Sequence, residues 1–506
     1  MSAPSEGESP TLQQNARGAL PYAALSGVLQ IILSLAGMLL LVRYLSPDDF
    51  AAWTVMSGFG APLILLTAFG FRHSLIRFMP ALNEKKARAR FLWSVLVRRG
   101  LWLALASFAL YASFPLYAPR LGLEDQIRVF EVLLGSFFLM ACNQYLVVGL
   151  NVAFRQREVL IGNLILQALW VLGVLAGMEW QEDLFFFGLW QAFCQSVYLI
   201  LNVAIVIHYL GPPEGRDVQA QHVENPEESH YRRTSFVNDL GGVLLSANIN
   251  RFIVAAFSST AQVAIYSVAV SIILRLTALM PLEIFRPLAS VTFFTRYEEK
   301  KTVDEVNRMF SFLLSMNRIV TTAFLALFIP LGYEVTVWVF KAEYGPAYLP
   351  IVILLLGMGL FSMPVGLVAQ ALQRPKWLVY SQFAVLINVG LGIPATIYWG
   401  ATGMAAATIA SQLTKNAIVF ILLRREFPVR YPWWTSFRFA LAGTAVGILL
   451  WWLNGVIPFL AAGGIGAVAW LVALRLFRVL DEDERQLLIT IVPTRFQKIT
   501  GSLIGH

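Results

Sequence analysis

The sequence predicts an all-α integral membrane protein with fourteen transmembrane helices, and three observations carry that prediction. Hydrophobic residues fill 58% of the 506 positions and charged residues only 13%, about half the charge of a soluble domain. The mean hydropathy is +0.66. The apolar residues gather into runs of about 20, the length a helix needs to cross about 30 Å of hydrocarbon, whereas barrel strands would be about half as long and alternating.

In chain order the runs fall at 20–43, 50–71, 91–117, 127–149, 158–178 and 184–209. They continue at 236–257, 262–285, 311–332, 349–371, 378–399 and 401–423, with a last pair at 434–453 and 456–477. This divides the chain into a tail (1–19), a first lobe of six helices (20–210), a linker (211–235), a second lobe (236–425), two further helices (426–479) and a tail (480–506). The linker is polar, with Pro212, Pro213, Glu224, Pro226, Arg232 and Arg233, and reads as a solvated connection. Residues Met1–Gln14 carry Glu6 and Glu8 and do not resemble the basic start of a cleaved leader, so the first apolar segment is expected to remain in the mature chain.

Charge sets the predicted orientation. One series of loops holds Arg72, Arg77, Lys85, Lys86, Arg88 and Arg90, then Arg155 and Arg157, Arg286 to Lys301, Arg374 and Lys376, and Arg424 to Arg430. The alternate series is nearly devoid of positive charge, its exceptions being Arg120 and Lys341. The positive-inside rule therefore places the first series and both termini in the cytoplasm. A net charge of +8 is accounted for by these loops and their lipid neighbours; no basic stripe interleaves with aromatics, so nucleic-acid binding is not expected. Cys142 and Cys194 both lie inside apolar runs without CxxC or histidine spacing, so neither a disulfide nor a metal site is expected.

The chain also resembles itself. Leu45–Trp53, followed by Phe71-Arg72 and Glu84-Lys85-Lys86, parallels Ser258–Tyr266, then Phe285-Arg286 and Glu299-Lys300-Lys301. Gly149–Arg157 likewise parallels Gly366–Arg374 at a similar offset. Because an even number of helices separates the copies, both halves share one orientation and a pseudo-twofold axis along the membrane normal.

Two patches carry a resemblance to a known family. Leu41-Val42-Arg43-Tyr44-Leu45-Ser46-Pro47-Asp48-Asp49-Phe50, followed by Ser74–Pro80, is similar to the first turn and second span of the multidrug/oligosaccharidyl-lipid/polysaccharide exporters, within them the bacterial Wzx-type flippases. Asn250–Ile253 and Val263–Ala269 look like the family's seventh and eighth spans. The resemblance, over residues 15–480, implies two six-helix lobes around a central cavity, alternating access, and residence in the bacterial cytoplasmic (inner) membrane. It further implies an undecaprenyl-pyrophosphate-linked oligosaccharide as substrate, flipped for polysaccharide synthesis, with polymerase and export machinery downstream. Lipid-II-type relatives place arginines within the first two spans; this chain lacks them there.

Ionisable groups at membrane depth are costly and usually face a cavity or a partner. The candidates for a cationic cavity are Arg275 in mid-span, Arg251 beside Asn248 and Asn250, Arg318 after Asn317, Lys415 between Gln412 and Asn416, and Arg43 at the end of the first span. Guanidinium groups suit a lipid pyrophosphate because they bind phosphate oxygens bidentately. Against this stand pairing with the buried acids Glu131, Asp239 and Glu283, the i, i+3 spacing of Glu283 and Arg286, snorkelling of Arg318 and Lys415, and interfacial anchoring of Arg43. The three acids are also the sites open to Na⁺ or H⁺ coupling. Asn143, Gln195, Asn202 and Asn388 read either as a hydrated lining or as interhelical hydrogen bonding.

Two rivals stay open. A membrane glycosyltransferase or polymerase would use Asp48-Asp49 as acids, but these also fit the cap and first turn of the second helix, and outer loops of sixteen residues or fewer hold no acceptor domain. An ion-coupled drug antiporter of the same superfamily would need buried carboxylates, which are scarcer here than arginines. No cofactor is expected, no Walker sequence is present, and with both lobes in one chain a monomer is expected to function.

Overall fold

The structure, a computed structural model, describes residues 29–82, 84–212, 226–280, 303–361, 365, 368–369, 372, 374–427, 429–482 and 484–485. They form helices and connecting turns, with no β-strand among them. The chain divides into two compact units, Met1–Val243 and Leu244–His506.

The first unit contains α1 (Leu29–Tyr44), α2 (Pro47–Leu66), α3 (Phe71–Phe78), α4 (Lys85–Ala112), α5 (Phe114–Leu121), α6 (Ile127–Val152), α7 (Gln156–Trp180) and α8 (Leu184–Leu210), and it ends within α9 (Pro226–Leu244). Ser46 caps α2: its hydroxyl accepts from the Asp49 N–H at 3.1 Å and donates to the Asp49 carboxylate at 2.6 Å. Asp48 and Asp49 occupy the first turn, where negative charge meets the positive end of the helix dipole. The acid pair that an enzyme would require thus sits in the first turn of α2, behind the Ser46 cap.

The second predicted span is broken. Pro62 cannot donate to the turn before it, and the helix gives way at Phe59; a second break follows at Phe69 (φ 42) and Gly70 (φ 73). Gly70 is required twice over, since a Cβ there would lie 2.2 Å from the Arg232 carbonyl oxygen of α9. Behind the break a core of Leu75, Leu92, Tyr145, Leu146 and Val206 joins α3, α4, α6 and α8.

The second unit continues with α10 (Ala247–Phe257), α11 (Thr260–Ala278), α12 (Val303–Val339), α13 (Tyr348–Phe361), α14 (Pro375–Ser381), α15 (Ala384–Glu426), α16 (Trp433–Leu453) and α17 (Phe459–Leu476). Its core of Phe310, Leu314, Val419, Phe439, Val446 and Trp470 binds α12, α15, α16 and α17. Small residues let these helices approach: Gly443 sits on Thr322 and Gly466 on Leu327 and Leu450, the usual device of packing inside a bilayer.

Among the described residues ten helices are long and apolar enough to cross a membrane. Glu228–Leu244 and Ala247–Phe257 pass the same test only when taken together, and Leu29–Tyr44 and Ala342–Met358 are shorter apolar helices. The stretch Lys376–Glu426 runs for 51 residues, which at about 1.5 Å per residue is more than twice a bilayer core. It is interrupted at Gly400 (φ 56, ψ −132), between the predicted spans 378–399 and 401–423. A Cβ on Gly400 would meet the Gln262 amide oxygen at 2.3 Å, the atom that accepts from the Ala401 N–H at 2.8 Å.

The seventh span begins in a helix at Pro226, where the polar sequence suggests linker. Proline suits a first helical turn because its missing N–H has no partner to lose. The predicted ends at 281–285 and 362–364, with Pro281 and Pro364, lie outside the described residues.

Candidate functional site

In the second unit, α10 and α11 are consecutive antiparallel helices joined at Ser258 and Ser259. Counting about 1.5 Å per residue from this turn, Arg251 lies roughly 10 Å down α10 and Arg275 roughly 20 Å down α11. Ser271 lies between these depths and receives both. Arg251 donates to the Ser271 hydroxyl at 3.3 Å, and Arg275 to the Ser271 carbonyl at 3.0 Å. The second arm of Arg251 donates to the Asn248 side-chain oxygen at 2.9 Å. Its Nε is buried without a hydrogen-bond partner, and no carboxylate among the described residues lies within ion-pair distance of it. Two guanidinium groups brought to one serine present several charge-assisted N–H donors, which suit an anion.

A rigid wall stands behind the pair. Asn250, next to Arg251, donates to Tyr266 Oη at 3.1 Å and Thr408 Oγ1 at 2.9 Å, and accepts from Asn388 at 2.7 Å. Asn250, Tyr266 and Asn388 are buried. The network links α10, α11 and both halves of α15, fixing the helix that carries Arg251. Asn388 therefore serves helix contact, as Asn143 does in the first unit. Asn143 donates to Gln195 at 3.1 Å and accepts from Asn202 at 3.0 Å.

The other sequence-predicted residues are dispersed. Arg318 donates to Ser436 Oγ and Tyr431 Oη and lies over the Tyr431 ring at 5.3 Å, tying α12 to the start of α16. Lys415 is half-buried on α15 and Arg43 is exposed at the end of α1. Glu131 is exposed in the second turn of α6. Asp239 of α9 is paired with His73 of α3, both carboxylate oxygens lying 3.1 Å from Nε2. Glu283 and Arg286 lie outside the described residues.

One buried cation escapes the sequence reading. Arg99 of α4 is 2% exposed; it donates to the carbonyls of Ala141 and Ile64, each at 2.9 Å, and lies 4.0 Å from the Tyr145 ring centre. The Ala68 N–H bonds Leu65 instead, so the break in the second span leaves the Ile64 carbonyl to Arg99 and the Thr67 hydroxyl. The available signal is the Arg98-Arg99 pair, eight and nine residues into the run that starts at Phe91.

Residues 19–293 match the profile of the family described as polysaccharide biosynthesis protein, more than half of the chain and including both Arg251 and Arg275. The chain belongs to the polysaccharide biosynthesis protein family. No curated protein sequence matches this member of the family. Among solved structures it is similar to the lipid II flippase MurJ in an inward closed conformation, at 14% identity, with 92% of this chain and 99% of that chain covered and a TM-score of 0.69. An inward-facing multidrug resistance MATE transporter of the MOP superfamily is similar at 15% identity, 78% and 94% coverage and a TM-score of 0.60. A mutant of the Vibrio cholerae MATE transporter VcmN follows at 14%, 81% and 98%, and 0.53. The chain thus has the fold of the MOP transporters and is a multi-pass membrane protein, as the ten long apolar helices among the described residues indicate. Chemically, its paired arginines offer several N–H donors at membrane depth, the requirement for holding a phosphate oxygen away from water.

Proposed function

We propose that the protein flips undecaprenyl-pyrophosphate-linked oligosaccharide units from the cytoplasmic to the outer leaflet for polysaccharide assembly. The observation that carries this reading is the convergence of Arg251 and Arg275 on Ser271. A diphosphate leaving water loses solvation that only charged donors replace, and two guanidinium groups supply it. Membership of the polysaccharide biosynthesis family supports the glycan cargo, and likeness in fold to a flippase supports carriage of a lipid-borne molecule. Alternating access by a monomer moves the headgroup; the basic loops face the cytoplasm with both termini, and polymerase and export machinery take the product. Arg318, Lys415 and Arg43 contribute at most outer contacts with the headgroup. Asp239, held by His73, is the described acid we assign to ion coupling.

The test is thermal unfolding of the purified protein in detergent with added undecaprenyl-pyrophosphate-linked oligosaccharide or with a cationic drug. The lipid-linked glycan is expected to raise Tm in the wild type and to do nothing in R251A/R275A. Stabilisation by cationic drugs alone, abolished by D239N, would replace this reading with an ion-coupled drug antiporter.

A further inference from the structure

The first unit contains a cavity of about 730 Å³ at the end of its helices away from the basic loops, within the range of about 300–1,000 Å³ typical of small-molecule sites. Three helix connections on that side build it, contributing Tyr44 and Asp49 from α1–α2, Asp125, Gln126 and Arg128 from the start of α6, and Gln181, Glu182 and Asp183 from α7–α8. The wall is partly immobilised. Tyr44 donates to the Glu182 carbonyl at 2.9 Å and packs edge-on against Phe187 at 5.7 Å, while the Asp183 carboxylate caps α8 through the Phe185 N–H at 3.0 Å.

The lining selects its ligand by charge and by spacing. Four carboxylates face one guanidinium, so a diphosphate is repelled over the roughly 8 Å reach of charge in physiological salt. A metal ion does not suit the lining either, since among the described residues no three His, Cys, Asp or Glu side chains are grouped to hold one. Acceptors spread around a wall, with two amides and a guanidinium as donors, match a molecule whose many hydroxyls both donate and accept. Hydrogen bonds from hydroxyls to carboxylates are the stronger, charge-assisted kind.

We infer that this cavity is a subsite for the uncharged oligosaccharide of the cargo, occupied when the headgroup has reached the outer face and excluding the pyrophosphate that follows. The inference rests on the flippase reading for the identity of the glycan. The acidic wall then disfavours return of the charged end, so that sugar and phosphate are held in chemically opposite sites.

The experiment uses the full-length protein and three probes: the soluble oligosaccharide released by mild acid from the cell's lipid-linked pool, inorganic pyrophosphate, and Mg²⁺. Binding is read by calorimetry on the wild type, R251A, and D125N/E182Q, an exposed and a partly buried side chain that make no hydrogen bond the fold depends on; Tm checks their folding. The soluble glycan is expected to bind the wild type and R251A alike and to bind D125N/E182Q at least tenfold more weakly. Equal glycan affinity in D125N/E182Q and wild type, absence of glycan binding to the wild type, or Mg²⁺ binding that D125N/E182Q alone abolishes would each overturn the subsite. If the intact lipid-linked glycan still stabilises the wild type through Arg251 and Arg275, only the subsite has failed. If it does not, the flippase reading has failed with it.

Discussion

Arg99 in the first unit and the Arg251–Arg275 pair in the second place the same side chain inside apolar helices, to opposite effect. Both guanidinium arms of Arg99 end on main-chain carbonyls, its ring partner is buried, and 2% of it is exposed. Arg251 instead ends on two side chains, Asn248 and Ser271, and is partly buried. A carbonyl fixed in a helix, such as those that hold Arg99 and the Ser271 carbonyl that holds one arm of Arg275, cannot move aside for a ligand, whereas the serine and asparagine rotamers that hold Arg251 can. Depth alone does not identify a binding arginine; displaceable partners such as those of Arg251 do.

The sharpest way to break this comparison is to remove Arg99. R99A leaves the Ile64 carbonyl in apolar surroundings with only the 3.3 Å Thr67 contact, and an unsatisfied buried group costs about 1–3 kcal/mol. Adding the lost packing on Tyr145, the variant is expected to lose about 2–5 kcal/mol and many degrees in Tm, while any folded fraction still responds to the lipid-linked glycan. A wild-type Tm in R99A would show that the carbonyl contacts are dispensable.

Next in size are the single changes R251A and R275A. Each is expected to leave Tm without ligand within a few degrees of wild type and to weaken lipid-linked glycan binding tenfold or more, equivalent to about 1.4 kcal/mol. Because both arginines address one anion, the double variant should fall short of the product of the singles. Full additivity in titrations would place them on separate groups.

The sequence made the helices legible because hydropathy and length act residue by residue; predicted spans such as 127–149 and 184–209 lie inside α6 and α8. Arg251 and Arg275 were legible for the same reason, as charges in apolar runs. Their meeting at Ser271 was not, since it depends on the relative rotation of two helices, and no periodicity encodes that. Arg99 was hidden by its proximity to a basic loop, which makes an anchored arginine resemble a snorkelling one. The partner of Asp239 was equally invisible, because His73 is 166 residues away and is brought near only by the break at Gly70.

The two breaks that shape these regions give a matched effect on stability. G70A in the first unit and G400A in the second both place a side chain at positive φ and within about 2.3 Å of an oxygen atom. Each is expected to lose about 1–3 kcal/mol, read by thermal unfolding. The comparison predicts different functional outcomes: G400A disturbs the wall behind Arg251 and lowers the response to lipid-linked glycan, and G70A leaves that response intact in the folded protein. Equal loss of response in both would mean that the arginine pair depends on the first unit as much as on its own.

The smallest effect concerns an acid that serves as a contrast to the arginines. Glu484, beyond the last helix, is buried and accepts from Ser311 at 2.6 Å and Ser315 at 2.9 Å. Burial pushes its carboxyl above the usual carboxylate range, while the two serine hydrogen bonds and that from the Asp481 N–H only partly oppose the shift. A raised value means that the folded protein holds the proton more tightly than the unfolded chain, so this group's contribution to stability falls as pH rises from the ordinary carboxylate range through the raised value. E484Q keeps the shape and removes the titration. It is expected to flatten the Tm against pH profile above about pH 4.3, the ordinary glutamate value, by a degree or two, without altering glycan binding at neutral pH. An unchanged slope in E484Q would assign the pH dependence to another group, and a change in glycan binding would connect this end of α17 to the site carried by α10 and α11.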